Sequence, residues 1–231
     1  MRALSIIVPT LNEAGGLVAH LAALRPMRER GTEVVVVDGG STDGTPALAA
    51  PWADSVVSAP RGRAAQMNAG AKLARGDVLL FLHADTLLPD AVDLLLAQAL
   101  EDPARVWGRF DIAIEGTHRL LRVVAWTMNL RSRLTGIATG DQAMFVRRDA
   151  FDAAGGFPEL PLMEDIALSR KLKRIGRPLC LRERAVTSGR RWEQRGVLRT
   201  IVLMWRLRGA YWLGVDPRRL AQVYAAARNQ H

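Results

Sequence analysis

Residues 34–45 read VVVVDGGSTDGT, and this segment restricts the fold more than any other. Four β-branched residues without polar alternation suit a strand covered on both faces, the setting of a parallel sheet. Gly39, Gly40 and Gly44 then let the backbone turn sharply. Asp38 and Asp43 therefore follow a buried strand, at the carboxyl end where open α/β sheets bind their ligands. From the segment alone an ordinary strand-to-helix turn stays open, with Thr42 or Asp43 capping a helix that starts near Pro46.

The flanking sequence repeats the strand. Residues 4–8 and 78–82 are further apolar runs, 55–58 is a short one, and helical spacing over 16–30, from Pro46 and over 64–74 separates them. This βαβαβαβ order predicts an α/β fold, a mostly parallel central sheet with helices on both faces and right-handed crossovers. Beyond Pro89 the order loosens. The pattern predicts helices over 90–100, 119–133, 149–154 and 164–175 and strands over 107–114 and 142–146, so the second half should add a mixed or antiparallel edge. No repeat or low-complexity linker appears before about residue 190. The expected division is an α/β domain over 1–190 and a basic helical segment over 191–231.

With 231 residues, 49% of them hydrophobic, the chain can bury a full core. The single Cys180 excludes an internal disulfide framework and a cysteine zinc site, and it fits a reducing compartment. The apolar run before Pro9 is short and lacks a cleavage pattern, so a cytoplasmic location is expected. Net charge is +9, but residues 1–169 carry −4 and residues 170–231 carry +13. Such a tail suits an anionic partner. Nucleic acid is not expected, because no helix-turn-helix, zinc-finger or stacking pattern accompanies the arginines.

Residues 197–214, VLRTIVLMWRLRGAYWLG, are apolar and aromatic but interrupted by Arg199, Arg206 and Arg208. That falls short of the roughly 20 apolar residues of a spanning helix. An amphipathic helix lying on an anionic membrane surface, packing against the domain, and packing against a second subunit in a homodimer all remain open.

Three acidic loops stand out: Asp38 with Asp43, His83-Ala84-Asp85, and Glu164-Asp165. Asp85 follows the strand DVLLFLH beside a histidine, a setting able to supply oxygen and imidazole ligands to Mg²⁺ or Mn²⁺. A turn or capping role fits Asp85 as well. Glu164-Asp165 opens a helix, where capping is the plain explanation. The polar stretch Gly140-Asp141-Gln142, after a glycine-containing segment, supplies a second flexible loop of the kind a second substrate needs.

Together these elements resemble the family 2 inverting glycosyltransferases, whose fold is the GT-A nucleotide-diphospho-sugar type. SIIVPTLNE at 5–13 and VVDGGSTDGT at 36–45 are similar to that family's two nucleotide loops. Arg63 with Asn68-Ala69-Gly70, ARGD at 74–77, His83-Ala84-Asp85 in the place of the Asp-x-Asp motif, and Glu164-Asp165 follow in order. The resemblance covers roughly residues 4–192. It implies that Pro9, Thr10, Asn12 and Glu13 shape the base and ribose pocket, and that Asp38 accepts a hydrogen bond from the base, usually uracil. It further implies that Asp85 holds a divalent cation on the diphosphate of a nucleotide-sugar donor. Asp165, with Glu164 beside it, would take the acceptor's proton in a single inverting displacement.

Two departures qualify the resemblance. His83 stands where the family often has an aspartate, which leaves both ribose and metal roles open. Ser188-Gly189-Arg190-Arg191-Trp192 resembles the Gln-x-x-Arg-Trp motif of processive members with serine for glutamine, so processive polymerisation is not expected, while Arg191 and Trp192 stay candidates for diphosphate or acceptor contact. RGRAAQMNAGA and SGRRWEQRG are similar to a bacterial branch associated with radical-SAM and selenium-domain proteins, a label that names no acceptor. A nucleotidyltransferase would carry a Gly- and Arg-rich loop where Thr10-Leu11-Asn12-Glu13 stands. A non-catalytic module working through its basic tail is the remaining alternative.

Overall fold

The computed structural model describes residues 3–228, apart from the side chains at 191, 195 and 228. Its strands are β1 (Leu4–Thr10), β2 (Glu33–Asp38), β3 (Ser55–Ser58), β4 (Val78–Phe81), β5 (Thr86–Leu87), β6 (Trp107–Glu115), β7 (Phe145–Arg147) and β8 (Leu179–Ser188). They form one sheet in the order β3-β2-β1-β4-β7-β6-β8-β5. The β3, β2, β1 and β4 neighbours run parallel. β7 pairs antiparallel with both β4 and β6, and β8 runs parallel to β6, giving the mixed edge that the looser second half predicts.

The helices are α1 (Leu17–Ala22), α2 (Arg25–Glu29), α3 (Thr45–Ala49), α4 (Arg63–Leu73), α5 (Val92–Ala99), α6 (Leu120–Thr135), α7 (Arg148–Ala153), α8 (Glu164–Ile175), α9 (Arg190–Arg195), α10 (Val197–Trp212) and α11 (Pro217–Arg228). The single helix expected over 16–30 is two, because Pro26 lacks the N–H a continuous helix needs there and instead sits in the first turn of α2.

The valine run explains the layering. Val34 and Val36 pack with Ile6, Val8 and Leu80 against Leu17, Leu21 and Leu96 of α1 and α5. Val35 and Val37 point the other way, with Ile7, Leu79 and Phe81, onto Met67 and Ala71 of α4 and Leu168 and Leu172 of α8. All four valines are fully buried, each contributing about 1.5 kcal/mol or more. Gly70 permits the α4 contact, since a Cβ there would meet Ile7 Cγ2 at 2.4 Å.

The ten-residue β8 is absent from the sequence pattern. Only Ala185 and Thr187 of it are buried, and Arg182, Glu183 and Arg184 are exposed in its middle, so no alternation marks it. A bulge between Phe110 and Asp111 shifts its register with β6. The C-terminal helices pack onto the domain: Leu207 and Leu220 share a core with Ile137, Met163 and Ile166, and the Arg170 guanidinium lies 4.3 Å from the Trp212 ring centre. No helix among the described residues is long and apolar enough to cross a membrane.

Candidate active site

Two adjoining cavities open at the carboxyl ends of β1 and β4. The first, about 330 Å³, is lined by Pro9, Thr10 and Glu13 after β1, by Arg61, Arg63 and Gln66 of the α4 start, by His83 and Asp85 after β4, and by Tyr224 of α11. The second, about 160 Å³, holds Gly140, Asp141, Glu164, Asp165, Trp192 and Arg208. Arg63, His83, Asp85 and Glu164 line both, so they form the shared wall.

Strand ends and a helix start deliver these groups. Asp165 sits in the first turn of α8, with Met163 before the helix in the left-handed region (φ 69°). Its Oδ2 accepts the Gly140 N–H at 2.8 Å and its Oδ1 the N–H of Ile166 at 2.7 Å, which fixes the carboxylate against the 140–142 loop. His83 Nδ1 lies 3.1 Å from Asp141 Oδ1. Its opposite edge abuts Gly140, where a Cβ would come within 2.4 Å of Nε2. One imidazole nitrogen thus faces a carboxylate and the other is packed on backbone, so His83 braces the loop in this arrangement.

Glu164 is buried, and burial raises its pKa, with the neighbouring Asp165 charge adding to the rise and Arg63 and His83 opposing it. Arg63 is solvent-exposed at the cavity edge; crowding by surrounding atoms disfavours its charge, but Glu164 foremost, then Asp141, Tyr224 and Asp165, hold its pKa above the usual value. Two adjacent carboxyls in unlike surroundings can divide acid and base roles. A raised folded-state pKa means a stability contribution present below the unfolded carboxyl pKa and lost as pH rises through the folded one. Glu164→Gln is therefore expected to raise the melting temperature at neutral pH, with the gap to the parent closing below about pH 4. Thermal unfolding of both proteins across pH 3.5–8 checks this.

Five of the expected ligand contacts make hydrogen bonds within or between the loops in this structure. Asp38 is buried at the end of β2, and its Oδ2 accepts the N–H groups of Gly40 and Ser41 while Oδ1 accepts the hydroxyls of Ser41 and Thr10. A carboxylate has about four acceptor sites, so all are spent and a base N–H would have to displace a hydroxyl. Asn12, left-handed at φ 54°, accepts the Thr42 N–H through its side chain and donates its own N–H to Ser41, tying the two loops together. Asp43 accepts from Ala14 N–H and from Thr45 N–H and hydroxyl. Asn68 clamps the Phe157 backbone through both its amide atoms, away from either cavity. Gln142 is likewise buried in a capping box with Thr139. The side chain of Arg191 lies outside the described residues, whereas Trp192 lines the second cavity.

Residues absent from the sequence expectations complete the walls. Gln66 donates to Thr10 O and Val37 O, both at 2.8 Å, and pins the ends of β1 and β2. Met204, Leu207 and Arg208 of α10 close the second cavity, and Tyr224 of α11 reaches both. A trace of this was present in the sequence: Val197, Ile201, Met204, Arg208 and Tyr211 fall at i+3 and i+4 spacing on one helix face, and an arginine in such a stripe is out of place.

The Glycosyl transferase family 2 model matches residues 5–154. A PGL/p-HBAD biosynthesis glycosyltransferase of Mycobacterium bovis is 33% identical over 166 residues, covering 66% of this chain and 62% of the relative. The chain thus spans just under two thirds of the length of the curated relatives it matches. Among solved structures, S. aureus TarS 1-349 in complex with UDP-GlcNAc superposes with a TM-score of 0.65 at 21% identity over 80% of this chain and 58% of that one. The mannosyltransferase PcManGT of Pyrobaculum calidifontis, in complex with GDP-Man and Mn²⁺, gives 0.62 at 22% identity over 90% of this chain and 61% of that one. These likenesses show a shared GT-A fold. With the family model spanning most of the sheet and the loops that build the first cavity, the chain belongs to glycosyl transferase family 2.

Proposed function

We propose that this chain transfers a glycosyl group from a nucleoside-diphosphate sugar, with uracil as the base, to an acceptor hydroxyl by a single inverting displacement. The observation that carries the reading is the shared wall: Asp85 and Glu164 stand between two cavities at the carboxyl ends of parallel strands, and Asp165 lines the second of them. The first cavity takes the nucleotide between Thr10, Glu13 and Arg63, with Asp38 shaping the loop beneath it. The second takes the acceptor, whose hydroxyl proton passes to Asp165 as the oxygen attacks the anomeric carbon and the diphosphate leaves.

A divalent cation, Mg²⁺ or Mn²⁺, fits this wall in one way. No three His, Cys, Asp or Glu side chains converge on a metal site among the described residues, so Asp85 would hold the ion while the donor's phosphates and water complete its shell. Bound there, it supplies positive charge to the leaving diphosphate. The Mn²⁺ present in the PcManGT complex supports this assignment. The 61–71 and 188–196 segments support membership of the radical-SAM and selenium-domain branch.

The test is UDP release from a panel of UDP-sugars with each metal and a set of hydroxyl acceptors, followed by NMR of the product's anomeric configuration. Turnover with inversion is expected. If no donor is consumed and no nucleotide binds, the enzyme reading falls.

The outer face of α10 supports peripheral contact with an anionic membrane at a cytoplasmic surface. Leu198, Val202, Trp205 and Trp212 recur at helical spacing and are each more than half exposed, with Arg199 and Arg206 beside them. Salt-sensitive binding to phosphatidylserine vesicles is expected to weaken severalfold in a Leu198→Ser, Trp205→Ser double variant. Equal sedimentation of parent and variant with vesicles would remove the membrane assignment.

A further inference from the structure

A third cavity, an open groove of about 700 Å³, is lined by α6, β6 and β8 and shares no residue with the two at the strand ends. Four arginines line it: Arg122 and Arg133 of α6, and Arg182 and Arg184 of β8. Its one acid is Asp111, which is already held by the buried Arg109 and, at 2.6 Å, by Arg133. Arg133 also donates to Cys180 O. The side chains of Arg122, Arg182 and Arg184 make no hydrogen bond or ion pair among the described residues. Three positive charges thus stand in one groove without an acid to offset them.

The break in β6–β8 pairing builds this cluster. Phe110 pairs with Leu181 but Asp111 with Arg184, so Arg182 and Glu183 fall outside the ladder and Arg184 is brought opposite Asp111. Bulges re-aim side chains in this way beside functional sites. Glu183, the acid between the two arginines, does not line the groove.

The rest of the lining is largely apolar, with Ile112 and Ile114 of β6 facing Trp126 and Leu130 of α6. Trp126 and Leu130 belong also to a stripe with Val123 and Leu134 at i, i+3, i+7 and i+11 along the outer face of α6, where Trp126 is 63% and Leu134 77% exposed. The helix itself carries three arginines and no acid. An indole beside arginines on such a helix suits a lipid headgroup layer, and arginine forks match phosphate oxygens. A free anion satisfies the arginines and leaves the stripe in water. An anionic phospholipid satisfies both.

We infer that the α6–β8 groove seats an anionic phospholipid, its phosphate on Arg122, Arg182 and Arg184 and its first acyl carbons on Trp126 and Leu130. The site is separate from both strand-end cavities, so it stands whether or not the transferase reading does. It is separate also from the outer face of α10.

Calorimetric titration of dihexanoyl phosphatidylglycerol, kept monomeric below its micelle concentration, into the full chain tests the groove without a bilayer. Saturable binding is expected, weakened about tenfold or more in an Arg182→Gln, Arg184→Gln double variant, since each arginine near an anionic lipid is worth roughly fivefold. Trp126→Ser should weaken it as well. An Arg218→Gln, Arg219→Gln variant, which removes the same charge from exposed positions on α11, should bind like the parent. No binding by the parent, undiminished binding by the β8 double variant, or equal weakening in the α11 control overturns the site. Inorganic phosphate binding as tightly as the lipid would overturn it in favour of a free anion, and hexaglutamate binding more tightly would overturn it in favour of an acidic protein. All four arginines changed are exposed, and unchanged melting temperatures confirm that the variants fold.

Discussion

Asp165→Asn is expected to lower transfer by about 10²–10⁴-fold, the usual worth of a positioned general base, while UDP binding persists. The substitution separates chemistry from architecture. The asparagine side-chain oxygen can still accept the Gly140 N–H that Asp165 Oδ2 takes at 2.8 Å, so the 140–142 loop, His83 and the wall they form should stay in place. What disappears is a group able to take the acceptor's proton. Initial rates of UDP release at saturating donor, beside UDP titrations of both proteins, provide the check. Retained turnover would remove the base assignment from Asp165.

The second large effect lies away from the cavity. Arg109→Ala is expected to destabilise the fold by about 3–5 kcal/mol, the range for removing one partner of a buried ion pair. Arg109 is fully buried on β6, where it pairs with Asp111 and donates to Ser132 Oγ at 3.0 Å and Asn129 O at 3.2 Å on α6. Its loss leaves Asp111 with only the exposed Arg133 and removes the guanidinium that ties Ser132 and Asn129 of α6 to β6. Asn129, bonded to both the N–H and C=O of Ile112, would then be the main remaining polar strap between α6 and β6. Urea unfolding reads the loss as a lower midpoint at an unchanged slope.

Much of the sheet was legible because its signal is local. Val34–Val37 has no polar interruption because successive side chains enter two different cores, and βα alternation follows from the same burial. β8 was not legible: an exposed Arg-Glu-Arg in its middle erases the periodicity, and its place beside β6 is a tertiary fact. In the site, order along the chain identified Asp85, Glu164, Asp165, Gly140 and Asp141, which the structure gathers on two cavities. It could not distinguish a polar side chain facing a ligand from one whose lone pairs are already spent. Asp38, Asn12, Asp43 and Asn68 belong to the latter kind: Asp38 is bound to the backbone of its own loop, and the other three to backbone of a neighbouring one. Arg208 shows the converse, since its meaning depends on which face of α10 turns inward.

The central claim is that the cavity between the β1 end and Asp85 receives a nucleoside diphosphate with its phosphates at Asp85. Calorimetric titration of UDP, with Mn²⁺ and with the metal chelated, into the parent chain and Asp85→Ala tests this directly. Saturable binding that weakens at least tenfold on chelation, and to the same extent in Asp85→Ala, is the predicted result. No binding by the parent, or equal metal-dependent binding by the two proteins, would contradict it.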